Sequence, residues 1–197
     1  MGRVETEGKT VAVEEFNDNL ISKKTNVVHE LTKSLCMTES LMMLCLTDMP
    51  LGLKAQQNLI IFTQTNTKIE NFQLINCQML PLYLAMICDE LETQQGLQSL
   101  SFRKNVIKPY RKIDPRTGML VVDRSKTDEF CQNLLKLILS APALMHLDLG
   151  GMYIGDEGIE TIMCEGVAAS KTLAAVHIQD NAISHWTRMK IYYTLTR

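Results

Sequence analysis

Three side chains of this 197-residue chain are of the types that form a nucleophile–base–acid triad, namely Ser101, Asp148 and His177. In such a triad the histidine takes the proton from the serine hydroxyl, so its ring must lie between the serine and the carboxylate. The three residues occupy the same position of an internal repeat, and stacked repeats place them in one row with Asp148 in the middle. That order separates the base from the nucleophile, and an open sheet face offers neither an enclosed pocket nor oxyanion donors. The sequence therefore predicts a non-enzymatic protein, with Asp148 and His177 as a cross-strand pair.

The cysteines are the other residues that could hold a metal ion. None forms a C-x-x-C pair, and no histidine stands at a ligand spacing from a cysteine. We interpret them as reduced, mostly buried thiols of a cytoplasmic protein, and we predict neither a metal site nor a cofactor. The six are Cys36, Cys45, Cys77, Cys88, Cys131 and Cys164.

One apolar pattern occurs five times, and the elements that it predicts determine where the side chains considered above lie. In residues 144–154 it reads L-x-x-L-x-L-x-x-M-x-I, and equivalent patterns begin at residues 41, 69, 97 and 173. The intervals between successive starts are 28, 28, 47 and 29 residues. Internal repeats with a period of 20–50 residues are typical of proteins built by stacking one supersecondary unit.

A helical pattern precedes each repeat of the apolar pattern. Apolar residues lie ten positions ahead of each start, as at Leu31, Leu59 and Ile87, and most repeats have another six positions ahead. These positions share one helix face, so each unit is predicted to be strand, turn and helix. Stacked units give an α/β solenoid with a parallel sheet. Residues 1–9 are polar and predicted to be flexible, and residues 10–197 are predicted to form the repeat domain, with residues 10–13 as a degenerate first strand.

The pattern resembles leucine-rich repeats, and the period with a full helix is similar to that of the ribonuclease-inhibitor-like subfamily. Residues 153–159, Tyr-Ile-Gly-Asp-Glu-Gly-Ile, are close to that subfamily's turn into its helix. Met49 and Met152 depart from it, since Asn or Cys usually caps the turn. The resemblance implies an open horseshoe with the parallel sheet on the concave side and the helices on the convex side. It leaves function open, because members include enzyme inhibitors, GTPase-activating proteins, innate-immune sensors, actin-end binders and ciliary scaffold subunits.

The interval of 47 residues contains a basic insertion at about 106–128. Turn formers at Pro109, Pro115 and Gly118 predict an extended arm or a small hairpin. Between Arg103 and Lys126, eight Lys and Arg side chains stand against two Asp side chains, a balance of +6 in a chain whose net charge is −2. We predict an acidic protein surface as its partner. The binding residues predicted here are Lys108, Arg111, Lys112 and Arg116.

The residues between the leucines point to the predicted concave face and supply the second candidate surface. We predict contacts with other proteins through Gln73, Ser101, Arg103, His146, Asp148, His177 and Gln179. Membrane and nucleic-acid partners are not expected, because the longest apolar run covers only residues 41–46 and the basic residues are confined to one loop. The sequence favours a non-catalytic interaction scaffold within a larger assembly, a structural or regulatory subunit of a cytoskeletal or ciliary axonemal complex. The alternative is a regulator of another enzyme, either an inhibitor or a GTPase-activating protein.

Overall fold

The computed structural model describes residues 27–107 and 110–196. The predicted flexible residues 1–9 and the predicted first strand at 10–13 lie outside the described residues, as does Lys108.

A five-stranded parallel sheet runs through the molecule. Its strands are β1 (Met43–Thr47), β2 (Asn71–Ile75), β3 (Ser99–Ser101), β6 (His146–Asp148) and β7 (Ala175–His177), and they lie in that order. Each strand begins two residues after one of the five predicted starts. Met43 is aligned with Asn71, Asn71 with Ser99, Ser99 with His146, and His146 with Ala175. The spatial register therefore reproduces the sequence intervals of 28, 28, 47 and 29 residues.

Helices connect the strands and cover one face of the sheet. They are α1 (residues 27–35), α2 (Leu53–Thr65), α3 (Pro81–Leu91), α4 (Ser125–Ser140), α5 (Asp156–Glu160) and α6 (His185–Leu195). The helix α5 continues directly into a π-helical turn at Thr161–Val167. Ser184 caps α6 by accepting a hydrogen bond from the Thr187 amide at 3.2 Å.

The core lies between the sheet and the helices, where the repeated apolar positions meet. Phe72, Leu100 and Leu147 are aligned on β2, β3 and β6 and are all 0% exposed. Leu59, Ile87 and Leu134 on the helices are 0% exposed as well. At β7 the corresponding residues, including Val176 and Ile178, are only partly buried because no further strand of the described chain lies beyond them in the sheet.

The turn after each strand of the main sheet has a positive φ angle at the same position of the repeat. In the first four turns the backbone N–H of this residue donates to a carbonyl of the neighbouring unit, for example from Asn76 to Arg103 at 2.9 Å and from Gly151 to Gln179 at 2.8 Å. Asp, Asn and Gly tolerate this left-handed conformation, whereas lysine is an unusual occupant. The five residues are Asp48, Asn76, Lys104, Gly151 and Asp180, with φ between 52° and 73°.

Asparagine side chains join neighbouring units at these turns. The Asn105 side chain accepts from the amides of Cys77 and Met79 at 3.0 and 3.1 Å, and it donates to the carbonyls of Leu74 and Phe102 at 2.7 and 2.9 Å. Asn181 forms an equivalent bridge after β7, with a donation to Leu149 at 2.8 Å. A buried asparagine that satisfies several backbone groups at once stabilises the stacking of two units.

The basic insertion contains a two-stranded antiparallel hairpin, β4 (Tyr110–Ile113) and β5 (Leu120–Asp123). Its strands do not join the main sheet. The first turn of α4 already begins at Ser125, so the stack resumes before the predicted end of the insertion at 128. Within the described part of the chain, no helix is both long and apolar enough to cross a membrane.

Candidate protein-interaction surface

The side of the main sheet opposite the helices, here called the open sheet face, carries the side chains that alternate with the core residues. The register brings Gln73, Ser101, Asp148 and His177 into one row across neighbouring strands. Because strand side chains alternate between the two faces, a residue beside a core leucine must lie on this side. The predicted face residues are therefore together, although their exposure differs.

A serine and two histidines form the central contact of this face. Ser99 Oγ and His146 Nδ1 lie 3.2 Å apart, within hydrogen-bond distance. The rings of His146 and His177 have centroids 5.1 Å apart and are tilted by 58°. Ser99 pairs with a histidine although Ser101 was the serine selected from the sequence as a possible nucleophile. The repeat starts at 97 and 144 already align Ser99 with His146, and the structure has this register.

Asp148 and Arg103 form the second contact of this face. The Arg103 guanidinium lies 3.7 Å from Asp148 Oδ2, and the Asp148 side chain is only 12% exposed against 42% for Arg103. Asp148 Oδ1 also accepts a hydrogen bond from the Gly150 amide at 2.9 Å. The Gln179 side chain lies over Gly150, where an added Cβ would approach its amide nitrogen to 2.5 Å. Asp148 thus holds Arg103 and the end of its own strand in place, while Arg103, His177 and Gln179 reach the surface.

The row of Ser101, Asp148 and His177 is not arranged as a triad. Asp148 lies between the other two in the register, as the sequence order implies. Ser101 is 3% exposed and its Oγ accepts from the Arg103 amide at 3.5 Å. In the described residues no hydrogen bond joins Ser101 to a histidine.

Burial raises the pKa of three thiols in the core. The pKa of Cys77 rises to about 11 and that of Cys131 to about 12, and the pKa of Cys88 is also raised, in each case mainly by desolvation of the thiolate. These thiols stay protonated at neutral pH, and the thiolate is the form that binds metals. The described residues contain no group of three or more His, Cys, Asp or Glu that could hold a metal ion.

Several cations of the insertion are paired with carboxylates of this chain. Lys112 contacts Asp123, whose other oxygen accepts from the Ser125 amide at 2.9 Å. Arg124 lies 2.9 Å from a Glu157 oxygen. Among the described residues Arg111 and Arg116 are exposed and form no ion pair. Asp123 is already counted in the sequence balance of +6, but the pairing of Arg124 with Glu157 lowers the free positive charge of the insertion below that balance.

The hairpin also exposes apolar side chains that were not among the residues selected from the sequence. The antiparallel register pairs Arg111 with Val122 and Ile113 with Leu120, so these four share one face. Ile113, Leu120 and Val122 are 67%, 63% and 59% exposed. The signal in the sequence was the apolar run Met119-Leu120-Val121-Val122, but its position outside the repeats gave no indication of which side would be exposed.

Comparison with known proteins identifies the fold through solved structures alone. No protein-family profile matches the chain, and no curated protein matches it significantly. The tropomodulin C-terminal domain of Caenorhabditis elegans superposes with a TM-score of 0.59 at 14% identity, over 88% of this chain and 92% of that one. Actin-binding site 2 of leiomodin-1 superposes with a TM-score of 0.58 at 15% identity, over 86% of each chain.

These similarities correct the family predicted from the sequence. The predicted membership in the leucine-rich repeat proteins of the ribonuclease-inhibitor-like subfamily is wrong, because the similar structures are tropomodulin and leiomodin domains. The physical reason is that the apolar spacing reports the length of a strand–turn–helix unit, which proteins outside that subfamily also build. The α/β part of the prediction, a parallel sheet covered by helices, is confirmed. This chain shares the fold of the tropomodulin C-terminal domain and of actin-binding site 2 of leiomodin-1.

Proposed function

We propose that this chain is a non-catalytic interaction domain of the cytoskeleton and that its partner is actin. The observation that supports actin as the partner is the similarity of fold to a leiomodin-1 domain that is named as an actin-binding site. That similarity supports a role in protein binding and does not suggest a catalysed reaction. The narrower ciliary or axonemal location stays a prediction from sequence.

The open sheet face supports this role because its side chains are held in place before a partner arrives. His146 is positioned by Ser99, and Arg103 by Asp148. Side chains that are already ordered lose less conformational entropy on binding, which favours a close contact. Of the predicted face residues, Ser101 and Asp148 are buried and serve as supports. We propose Arg103, His177 and Gln179 as the contacts.

Cosedimentation with actin filaments, together with binding to actin monomers, tests this proposal. His177→Ala combined with Gln179→Ala removes two exposed side chains without opening the core. We expect this variant to bind about tenfold more weakly, equivalent to about 1.4 kcal/mol, with an unchanged melting temperature.

The matched control is Gln132→Ala combined with Lys136→Ala, two exposed residues on α4, on the helix side of the molecule. We expect this control to bind like the unmodified chain. Equal affinities of the two variants would remove the open sheet face from the interface. A chain that binds neither filaments nor monomers would refute actin as the partner.

A further inference from the structure

The hairpin face formed by Arg111, Ile113, Leu120 and Val122, here called the outward hairpin face, turns apolar side chains toward solvent. The opposite side of the hairpin carries the Lys112–Asp123 contact, with Asp123 only 9% exposed. A strand pair that buries a carboxylate and exposes three aliphatic side chains departs from the usual arrangement of a surface sheet. Contiguous exposed apolar residues on an isolated strand pair mark an interaction site or an aggregation liability.

The base of the hairpin is fastened to the stack. Thr127 Oγ1 donates to the Ile107 carbonyl at 2.7 Å in a buried position, which joins the two ends of the insertion. Asp123 accepts from the Ser125 amide and hydroxyl at 2.9 and 2.7 Å, so β5 leads directly into α4. A β-hairpin on a fixed base presents its face in a defined orientation, which reduces the entropy lost on binding.

The charges beside this face indicate what covers it. Arg111 lies within the face and Arg116 lies in the adjoining turn, and both are exposed. A second copy of the same face would bring these arginines against their own counterparts, and such a like-charge contact disfavours association. A carboxylate-bordered surface is the complementary partner.

A lipid surface is a poorer match for the same residues. The tip of the hairpin is Asp114-Pro115-Arg116-Thr117-Gly118, which is polar. Met119 is the one large apolar residue that the described chain exposes in this connection, and Ile113, Leu120 and Val122 lie on the flat side of the strands. A loop that inserts into a membrane interface places apolar residues where it enters the lipid. A flat aliphatic face fits a shallow apolar patch on a protein instead.

We infer that the outward hairpin face is a second binding surface, which takes an apolar patch bordered by carboxylates on the actin partner. This inference rests on the proposed function for the identity of the partner. It differs from the electrostatic role predicted from sequence, because the aliphatic side chains supply the affinity and the two arginines supply orientation and salt dependence.

The test replaces the aliphatic residues while keeping the hairpin. Ile113→Thr, Leu120→Thr and Val122→Thr together remove apolar surface and retain residues that favour strands. We expect actin binding to weaken about tenfold with the same salt dependence and melting temperature. Leu53→Gln combined with Leu139→Gln is the matched control on the helices, where the two leucines are 58% and 54% exposed. We expect this control to bind normally.

A second variant separates charge from apolar contact. Arg111→Gln combined with Arg116→Gln keeps the aliphatic residues, and we expect weaker binding at about 50 mM salt and little difference at about 300 mM. Normal binding by the threonine variant, with actin binding by the unmodified chain intact, overturns the inference and leaves the proposed function standing. Loss of all actin binding in the unmodified chain overturns both.

Two further measurements on the unmodified chain would show whether a second copy or a membrane, and not actin, covers the outward hairpin face. Concentration-dependent dimers in analytical ultracentrifugation that the threonine variant abolishes would make a second copy the occupant. Binding to phosphatidylserine vesicles that the threonine variant abolishes would make it a membrane surface. Either result overturns the inference, and we expect neither.

Discussion

The main sheet and the inserted hairpin use similar aliphatic strands in opposite ways. Leu100 and Leu147 on β3 and β6 are 0% exposed, whereas Ile113 and Leu120 on β4 and β5 are 67% and 63% exposed. The difference comes from what covers each sheet. The strands of the stack belong to one sheet that helices cover on one face, while β4 and β5 pair only with each other in a separate sheet. An apolar residue in a strand therefore forms core where the topology supplies a cover, and contact surface where it does not.

Truncation of one leucine from each region tests this comparison with the largest expected effect. Leu147→Ala should lower the free energy of unfolding by about 2–5 kcal/mol, because a buried side chain leaves a cavity between sheet and helix. Leu120→Ala should change it by less than about 0.5 kcal/mol. Denaturant unfolding of both variants provides the measurement.

His146→Ala, one residue from Leu147 on the open sheet face, should lower the free energy of unfolding by less than about 1 kcal/mol. Equal losses of stability at 146 and 147 would contradict the assignment of the two faces.

The asparagine bridge sharpens the same contrast, since the hairpin has no counterpart within the described residues. Asn105→Ala removes a buried side chain that serves two amides and two carbonyls, so it should destabilise the chain by about 2–4 kcal/mol. Asn105→Asp keeps the acceptor oxygen and removes the donor. We expect it to lower the stability by an amount comparable to Asn105→Ala, because it buries a charge. Thermal unfolding measures both. A cost below about 1 kcal/mol for Asn105→Ala would mean that packing alone holds the units together.

A smaller effect is expected at Lys104, where the stack tolerates an unfavourable residue. Lys104 has φ of 60° at a position that Asp, Asn or Gly occupies in the other units. Lys104→Asn should therefore raise the free energy of unfolding by up to about 1 kcal/mol, because asparagine adopts this conformation more readily. A loss of stability, measured by chemical denaturation, would show that the packing of the Lys104 side chain in the space beside Gly151 outweighs backbone strain.

Acid should weaken the hairpin turn. The backbone N–H of Arg116 and the hydroxyl of Thr117 hold the pKa of Asp114 below its ordinary value. A carboxylate with a lowered pKa stabilises the folded turn above the unfolded value of about 3.9, and this contribution is lost as the pH falls through the lower folded pKa. Titration of the Asp114 carboxyl carbon by NMR should give a midpoint below about 3.9. An ordinary or raised midpoint would contradict the hydrogen-bonded turn, and Asp114→Asn provides the control spectrum.

Much of the stack could be predicted because its geometry repeats in the sequence. Strand positions and register follow from residue spacing, and both are present in the structure. Leu31 shows where the helical pattern is insufficient. Leu31 is 43% exposed, while Thr32 is buried. The helix is therefore rotated relative to the prediction, since three or four apolar residues do not define which face of a short helix is buried. The pattern also has no signal for the π-helical turn after α5.

The candidate surfaces were only partly predictable. The open sheet face, including the alignment of Ser99 with His146, follows from the repeat register. The hydrogen-bond distance between these two side chains does not follow from it. The basic residues of the insertion were visible in the sequence, but their partners were not, and Lys112 lies against Asp123 across the hairpin. The exposure of Ile113, Leu120 and Val122 could not be predicted, because an isolated hairpin has no repeat to indicate its buried side.

Hydrogen–deuterium exchange of the chain, alone and with actin filaments, tests the central claim most directly. In the free chain the amides of β2 and β3 should exchange far more slowly than those of the hairpin, because the stack opens only with its core. Filaments should slow exchange at residues 110–123 and along the open sheet face around β6 and β7, and leave α4 unchanged. Protection confined to the helices, or none at the hairpin when actin is bound, would contradict the proposed interface.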